Sequence, residues 1–409
     1  MRVFPTEVAS SVSAYAQRWS RTNPIRRELK ATIRKDQTIG AVMADGLNAP
    51  SVYPTAHSSV DETVIGFDAL YESARKCWKG VSHKHSAQSY NVNILANTLK
   101  LGKELANGKY KAGDVRKVEI TYPKPRTAYS ITYRDRVYQR SINDNSLYPQ
   151  VVRRFIYQNY ACQKGKGAEA ALQYFKSALH RAYLKYGSAD FYILSCDVRK
   201  YYDSMVHSVT DRIIRESVDK WTADKVCETL SRQYAGDRGY NPGSQMVQIA
   251  GIAYLNELDH FIKETLRIKI YVRYMDDFHI VLKSREELEE VKAKVAVKLG
   301  EVGMELHPDK TRIRSARSGV VFLGFKFVVT DSGKVLMFRD PQRVKEIRRR
   351  LVRLAHKIER GDAEISDLDT SYQCVRACMA KGNSARLLRN MDAFVKELKE
   401  GINARTHCS

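Results

Sequence analysis

Residues 268–282, IKIYVRYMDDFHIVL, form an apolar and aromatic run broken at its middle by two adjacent acids. β-Branched and aromatic residues dominate both halves, so the run reads as two strands joined by a tight turn at Met275–Asp277. Two carboxylates at the tip of a hairpin otherwise built for burial are costly to keep charged. An isolated Asp-Asp pair is more often an ordinary polar turn. The context differs here, because a second apolar run, DFYILSC at 190–196, ends on Asp197 and reads as a buried strand. If the two strands are neighbours, three acids meet at one sheet edge. Such a cluster repels itself unless cations occupy it, and hard divalent ions with oxygen ligands suit it. Two such ions, about 3.5–4 Å apart, can activate an attacking hydroxyl and stabilise a leaving pyrophosphate.

Outward from the hairpin the pattern turns helical on both sides. Ser284 and Glu287 make a capping-box signature. Leu288, Val291, Val295 and Leu299 then share one helix face, closed by Gly300 and Gly303. Residues 206–266 read as helical segments and 320–338 return to a β pattern. Upstream, 62–108 is mostly helical, with Phe67, Leu70, Leu95, Leu99 and Leu105 among its apolar positions. Residues 117–140 alternate β-branched and aromatic residues with basic ones, which predicts a hairpin with a basic face. A helical region at 144–186 is interrupted by Lys164-Gly165-Lys166-Gly167. The middle block is thus an α+β sheet with helices on one face. In the tail, Val344, Ile347, Leu351, Leu354 and Ile358 form one apolar stripe. Arg343, Arg348, Arg349, Arg350, Arg353, Lys357 and Arg360 surround it.

The 69 Lys and Arg against 46 Asp and Glu give a net charge of +23 over 409 residues. That excess repels itself unless a polyanion is usually near, and nucleic acid is the first candidate, ahead of an acidic membrane surface. No run of 18 or more apolar residues occurs, so no membrane span is expected. The opening MRVFPTEVAS has no long apolar stretch and is not read as a secretory signal. Seven scattered cysteines make neither a disulfide framework nor a metal-binding pattern, which points to reduced thiols and a cytoplasmic setting.

Tyr274-Met275-Asp276-Asp277 resembles the YxDD hairpin motif of reverse transcriptases. Asp197-Val-Arg-Lys-Tyr-Tyr202-Asp203 resembles the family's strand motif, an Asp followed five residues later by an aromatic. Four further segments resemble family motifs and fall in family order: Arg126–Arg136, Pro242-Gly243-Ser244 with Gln248, Leu306–Thr311, and Phe322-Leu323-Gly324-Phe325. Tyr160–Gly167 resembles a segment of bacterial members. The resemblance covers roughly residues 65–330 and is strongest to bacterial reverse transcriptases of the group II intron-like and retroelement lineage. Among these the chain looks most like the compact defence-associated enzymes that act against phage.

That resemblance implies a right-hand polymerase fold. An N-terminal extension would occupy 1–60, fingers 61–190, a palm 191–334 and a helical basic thumb 335–409. Asp197, Asp276 and Asp277 would be the catalytic acids, and with the Val198 carbonyl they would hold two Mg²⁺ ions, for which Mn²⁺ could substitute. Asp277 would be the more peripheral acid. Arg126 would grip the incoming triphosphate, with Lys124 or Lys117 as companion, unless it is a solvated surface Arg. Tyr202 would be a steric gate against ribonucleotides, a core aromatic, or both. Gly243 and Gln248 would lie beneath the nucleotide and template base, although Gly243 also suits an ordinary turn. Lys310 would neighbour the pyrophosphate or be a plain surface Lys. Phe322, Leu323 and Gly324 would form the primer grip. Arg348, Arg349, Arg350 and Arg353 would hold the nucleic-acid backbone. His279 reads as a packed strand residue rather than a ligand.

The implied partners are an RNA template, expected to be a structured and dedicated non-coding RNA, the cDNA product and dNTPs. Tyr129, Tyr133 and Tyr138 stand among cations in the basic hairpin and could stack on unpaired bases. Gln248 resembles the diversity-generating retroelement branch of the family, whereas Val247 does not, so that role is an alternative. A palm-fold RNA scaffold without catalysis is another, and template-independent DNA synthesis a third. After the primer grip about 80 residues remain, too few for a ribonuclease H or endonuclease domain.

Overall fold

The apolar runs at 192–197 and 270–282 lie side by side in one antiparallel sheet. The computed structural model describes residues 59–121 and 126–406. The expected extension at 1–60 falls almost wholly outside these residues, and Lys124 falls outside them as well. The strands in chain order are β1 (Arg116–Ile120), β2 (Arg126–Ser130), β3 (Tyr192–Asp197), β4 (Ile270–Tyr274) and β5 (Asp277–Leu282). They continue with β6 (Arg312–Ser315), β7 (Val320–Phe322), β8 (Phe325–Val329) and β9 (Val335–Arg339).

The palm sheet has the order β4-β5-β3-β6. β5 is central, and Phe278, His279, Ile280 and Val281 are all buried. A continuous run rather than an alternating one marks a strand covered on both faces. Phe278 and Ile280 join a cluster with Leu288, Val291, Val295 and Leu299 of helix Arg285–Gly300. Val281, Ile193 and Val272 join a second cluster with Phe175 and Leu179 of helix Ala168–Tyr186. Helices therefore cover both faces, not the single face expected. β6 continues the sheet beyond β3, at a stretch where the sequence suggested no strand.

The basic hairpin is shorter than expected. β1 pairs with β2 from Arg116↔Ser130 to Ile120↔Arg126, and residues Tyr133–Ile142 form a helix. The cause is local: the Thr132 hydroxyl accepts the Asp135 N–H, capping that helix. The fully buried Asp135 carboxylate accepts the Tyr110 hydroxyl at 2.7 Å and the Gly113 N–H at 2.9 Å. Tyr133 and Tyr138 are consequently core residues, which withdraws them as surfaces for base stacking. Tyr129 alone of the three stays on the hairpin, with the Lys117 ammonium 5.9 Å from its ring.

β7, β8 and β9 make a separate antiparallel sheet packed on helix Ala168–Tyr186. The β7–β8 turn is Leu323-Gly324, with φ of 48° and 78°. Positive φ at both central positions is the hairpin turn that favours glycine at the second. The domain boundary expected at 334/335 cuts this sheet in its last turn, since β9 pairs with β8 along its length. Helix Ala168–Tyr186, placed with the fingers by sequence, packs on the palm cluster. The thumb proper is a bundle of helices Pro341–Glu359, Ile365–Met379 and Ala385–Thr406 around Leu351, Ile358, Leu368, Tyr372 and Met391. Among the described residues no helix is long and apolar enough to cross a membrane.

Candidate active site

Asp197 ends β3 directly opposite Asp277, the first residue of β5. Asp276 sits at the tip of the β4–β5 turn, and its carbonyl accepts the Val198 N–H at 3.2 Å. Like charges directly opposed across strands are destabilising, so this end of the sheet concentrates unfavourable charge. Met275 adds backbone cost, with a φ of 59° that a side-chain-bearing residue seldom adopts.

Arg273 holds that turn from below. Its Nη1 donates to the Met275 carbonyl at 3.0 Å and its Nη2 to the Ile252 carbonyl at 3.1 Å. Nε and Nη2 reach the Asp259 carboxylate at 2.7 and 2.5 Å, and both side chains are fully buried. The Tyr271 hydroxyl donates to the same carboxylate at 2.7 Å. Sequence reading missed this pair. An Arg inside an apolar strand was the available signal, but its partner lies on a helix that ends before the strand begins.

Burial raises the Asp276 carboxyl above the usual range, and Asp197 adds to the effect while Lys310 and Arg273 oppose it. Asp277 is pushed up to about 8 by burial, then by Asp276 and Asp197, against Lys310. A third of its side chain still meets solvent, which moderates the effect of burial. The Lys310 ammonium lies 2.8 Å from Asp197 Oδ2. Its loop is anchored by the His307 N–H, which donates to the Asp197 carbonyl at 2.7 Å. Lys310 thus brings positive charge to this cluster from within the protein.

The donor set fits divalent metal chemistry: oxygen ligands only, with acids whose ionisation is disfavoured until positive charge arrives. Among the described residues no three acidic, His or Cys side chains are arranged as a ready ion-binding group. The three acids share a sheet end, and Oδ2 of the Asp197 carboxylate is paired with Lys310.

The other candidate residues divide. Tyr202 is half-buried and packs on Gly251, where an added Cβ would stand 3.0 Å from its ring. Gly243 is demanded by the β1–β2 hairpin, since a Cβ there would lie 2.7 Å from the Tyr129 carbonyl. The Asn241 side chain ties the same loop to the Thr127 carbonyl at 2.8 Å. Gln248 donates to the Pro242 carbonyl at 2.9 Å and so braces that loop. Arg126 is placed by its backbone as the first residue of β2. Phe322 is buried beneath the Leu323-Gly324 turn, with its ring against Phe175 and His279. On the thumb, Arg349 and Arg353 are exposed. Arg348 is exposed as well but stacks over Phe394 and bonds the Met391 sulfur, and half-buried Arg350 donates to Ser371.

A four-stranded antiparallel palm with acids at one end, a fingers hairpin docked beside it and a helical thumb is a right-hand polymerase fold. Residues 116–327 match the reverse transcriptase (RNA-dependent DNA polymerase) family, and the chain belongs to that family. Among solved structures it is similar to telomerase from Candida albicans in complex with a TWJ fragment of telomeric RNA. The identity is 12% and the TM-score 0.42, over 63% of this chain and 55% of that one. The match therefore spans little more than half of the telomerase chain. No curated protein matches the sequence.

Proposed function

We propose that the protein is an RNA-directed DNA polymerase that makes cDNA by two-metal nucleotidyl transfer. The observation that carries this reading is the pairing of Asp197 with Asp277 across β3 and β5, with Asp276 at the adjoining turn. Asp197, Asp276, Asp277 and the Val198 carbonyl are the groups that would hold two divalent ions, with Mg²⁺ the natural choice and Mn²⁺ a substitute. When bound, such ions activate the primer hydroxyl and neutralise the leaving pyrophosphate. Lys310, beside Asp197, would meet the negative charge that develops on that pyrophosphate. Arg126 and a hairpin lysine would receive the triphosphate, for which a guanidinium fork is suited. Tyr202 would face the sugar, Phe322, Leu323 and Gly324 the primer end, and Arg349 and Arg353 the backbone of the duplex.

Primer extension on an RNA template tests this directly. Asp276→Ala and Asp197→Ala should each lower extension by about a thousandfold or more while the protein stays folded and RNA-bound. Near wild-type extension by Asp276→Ala with Mg²⁺ sinks the reading. A complete set of acids favours catalysis over a non-catalytic RNA scaffold.

The finer reading is a cytoplasmic enzyme of the bacterial group II intron-like lineage that copies one structured RNA in defence against phage. Its support is the +23 charge and the motif resemblance. Cells carrying wild-type protein should resist phage and cells carrying Asp276→Ala should not. Equal plaque counts would remove the defence role and leave diversification as the better setting.

A further inference from the structure

Next to the acids stands a buried polar side chain that the polymerase reading does not use. His279 is two residues beyond Asp277 on β5 and only 1% exposed. Its ring stacks on Phe175, with centroids 4.9 Å apart at 30°, and meets Phe322 edge-on at 4.7 Å and 82°. Nδ1 lies 2.9 Å from the Ser195 hydroxyl of β3. Nε2 has no hydrogen-bond partner and is fully enclosed. The carboxylate nearest to it is Asp277, with Oδ1 at 3.4 Å. An enclosed polar nitrogen without a partner is rare in native interiors and calls for a reason.

A brace on Asp277 asks for one particular tautomer of the ring. Once a cation makes Asp277 a carboxylate it can only accept, so a brace on it requires the ring proton on Nε2, and the Ser195 hydroxyl can then donate to Nδ1. The two phenyl rings hold the imidazole in place, so Nε2 is presented in one direction. The same enclosure excludes the ring as a metal ligand. At 3.4 Å the Nε2–Asp277 contact falls short of an aligned bond.

We propose that His279 is a positioning residue that braces the Asp277 carboxylate for a divalent cation. Ser195 holds its other ring nitrogen, and Phe322 ties its ring to the β7–β8 turn. This deepens the polymerase reading and rests on it. Partners behind a metal-ligating side chain orient it and tune its basicity, and their loss commonly lowers metal affinity tenfold to a hundredfold. In this fold the brace also gives the primer-side turn a physical contact with the metal-binding end of the sheet, through one ring.

The test uses the full chain with primer and template. Mn²⁺ binding is followed by loss of the free-ion electron paramagnetic resonance signal, alongside the Mg²⁺ concentration for half-maximal extension. His279→Phe keeps the aromatic packing and removes the donor. It should weaken Mn²⁺ binding and raise the Mg²⁺ requirement about tenfold, with the KM for dNTP little changed. His279→Gln, which retains a donor, should recover part of the loss. Ser195→Ala, at a half-buried position, should shift both readouts the same way by a smaller factor. Wild-type values for both readouts in folded His279→Phe, or in Ser195→Ala should His279→Phe not fold, overturn the inference and leave the polymerase reading standing. Wild-type protein that neither binds Mn²⁺ nor extends a primer overturns that reading and this inference with it.

Discussion

Asp277 shows how far a single side chain depends on its neighbours. Its carboxyl is pushed up to about 8 in the folded protein, against a usual 3.8. The folded state therefore keeps a proton that the unfolded chain releases between about pH 4 and pH 8. Stability must fall as pH rises through that window. Asp277→Asn removes this effect. Without divalent ions, in a chelating buffer, the variant should melt roughly 2–4 °C above wild type at pH 8.5, about 1 kcal/mol after allowing for the solvent-facing third of the side chain. The gap should close toward pH 4, and a gap independent of pH would refute the assignment. Tyr202 makes a different residue-scale prediction. Its ring lies on Gly251, leaving no room for a side chain there. Tyr202→Val should lower the ratio of kcat/KM for dGTP over GTP by about tenfold or more, because bulk alone would exclude the 2′-hydroxyl. An unchanged ratio would make Tyr202 a packing residue only.

At the scale of elements, the β4–β5 hairpin is held in place by a polar network rather than by its own sequence. Arg273 bonds the Met275 carbonyl above it and Asp259 below it, with both side chains out of water. Such a pair need not stabilise the fold in net terms, but breaking it strands a buried charge. Arg273→Met should cost about 3–5 kcal/mol, read by urea unfolding, and should depress extension more than the loss of folded protein explains. Exchanging both partners, Arg273→Met with Asp259→Leu, should recover most of the stability. If it also recovered extension, the bond to Met275 would have no part in shaping the turn. The capping box at Ser284 and Glu287 behaves more simply. Both reciprocal hydrogen bonds form, as the local sequence predicts.

Across the whole molecule, the +23 charge predicts attachment to phosphate that weakens steeply with salt. The thumb arginines separate into two roles. Arg349 and Arg353 are exposed; Arg348, also exposed, stacks on Phe394 and bonds the Met391 sulfur, and half-buried Arg350 donates to Ser371. Arg349→Gln with Arg353→Gln should lower the slope of log affinity against log salt by about 1–2 and leave the melting temperature unchanged. Arg348→Gln with Arg350→Gln should instead lower thumb stability. For a dedicated partner, RNA recovered with the protein from cells should be one dominant species, with cDNA mapping to a defined segment of it. Recovered RNA that mirrors the whole cellular pool would indicate a general copying enzyme.

The hairpin, the Asp197 strand, the capped helix after it and the apolar stripe of the thumb were all legible in the sequence. Each is decided within one or two turns of chain, by period, capping chemistry or a turn residue. The acids were legible for the same reason, since charge at the end of an apolar strand is costly wherever that strand packs. The end of the basic hairpin was misread because Thr132 and Asp135 cap a helix whose acid is satisfied from Tyr110 and Gly113, well upstream. Helices on both palm faces, the β6 edge strand and the Asp259 partner of Arg273 depend on which segments meet across long stretches of chain. So does the use made of each candidate residue. Gly243 answers to Tyr129, Arg348 to Phe394 and His279 to Ser195 and Asp277. The sequence by itself determined the kind of sheet and the acids it would carry. Only the tertiary structure decided what surrounds those acids, because desolvation and hydrogen bonding depend on contacts made across the fold.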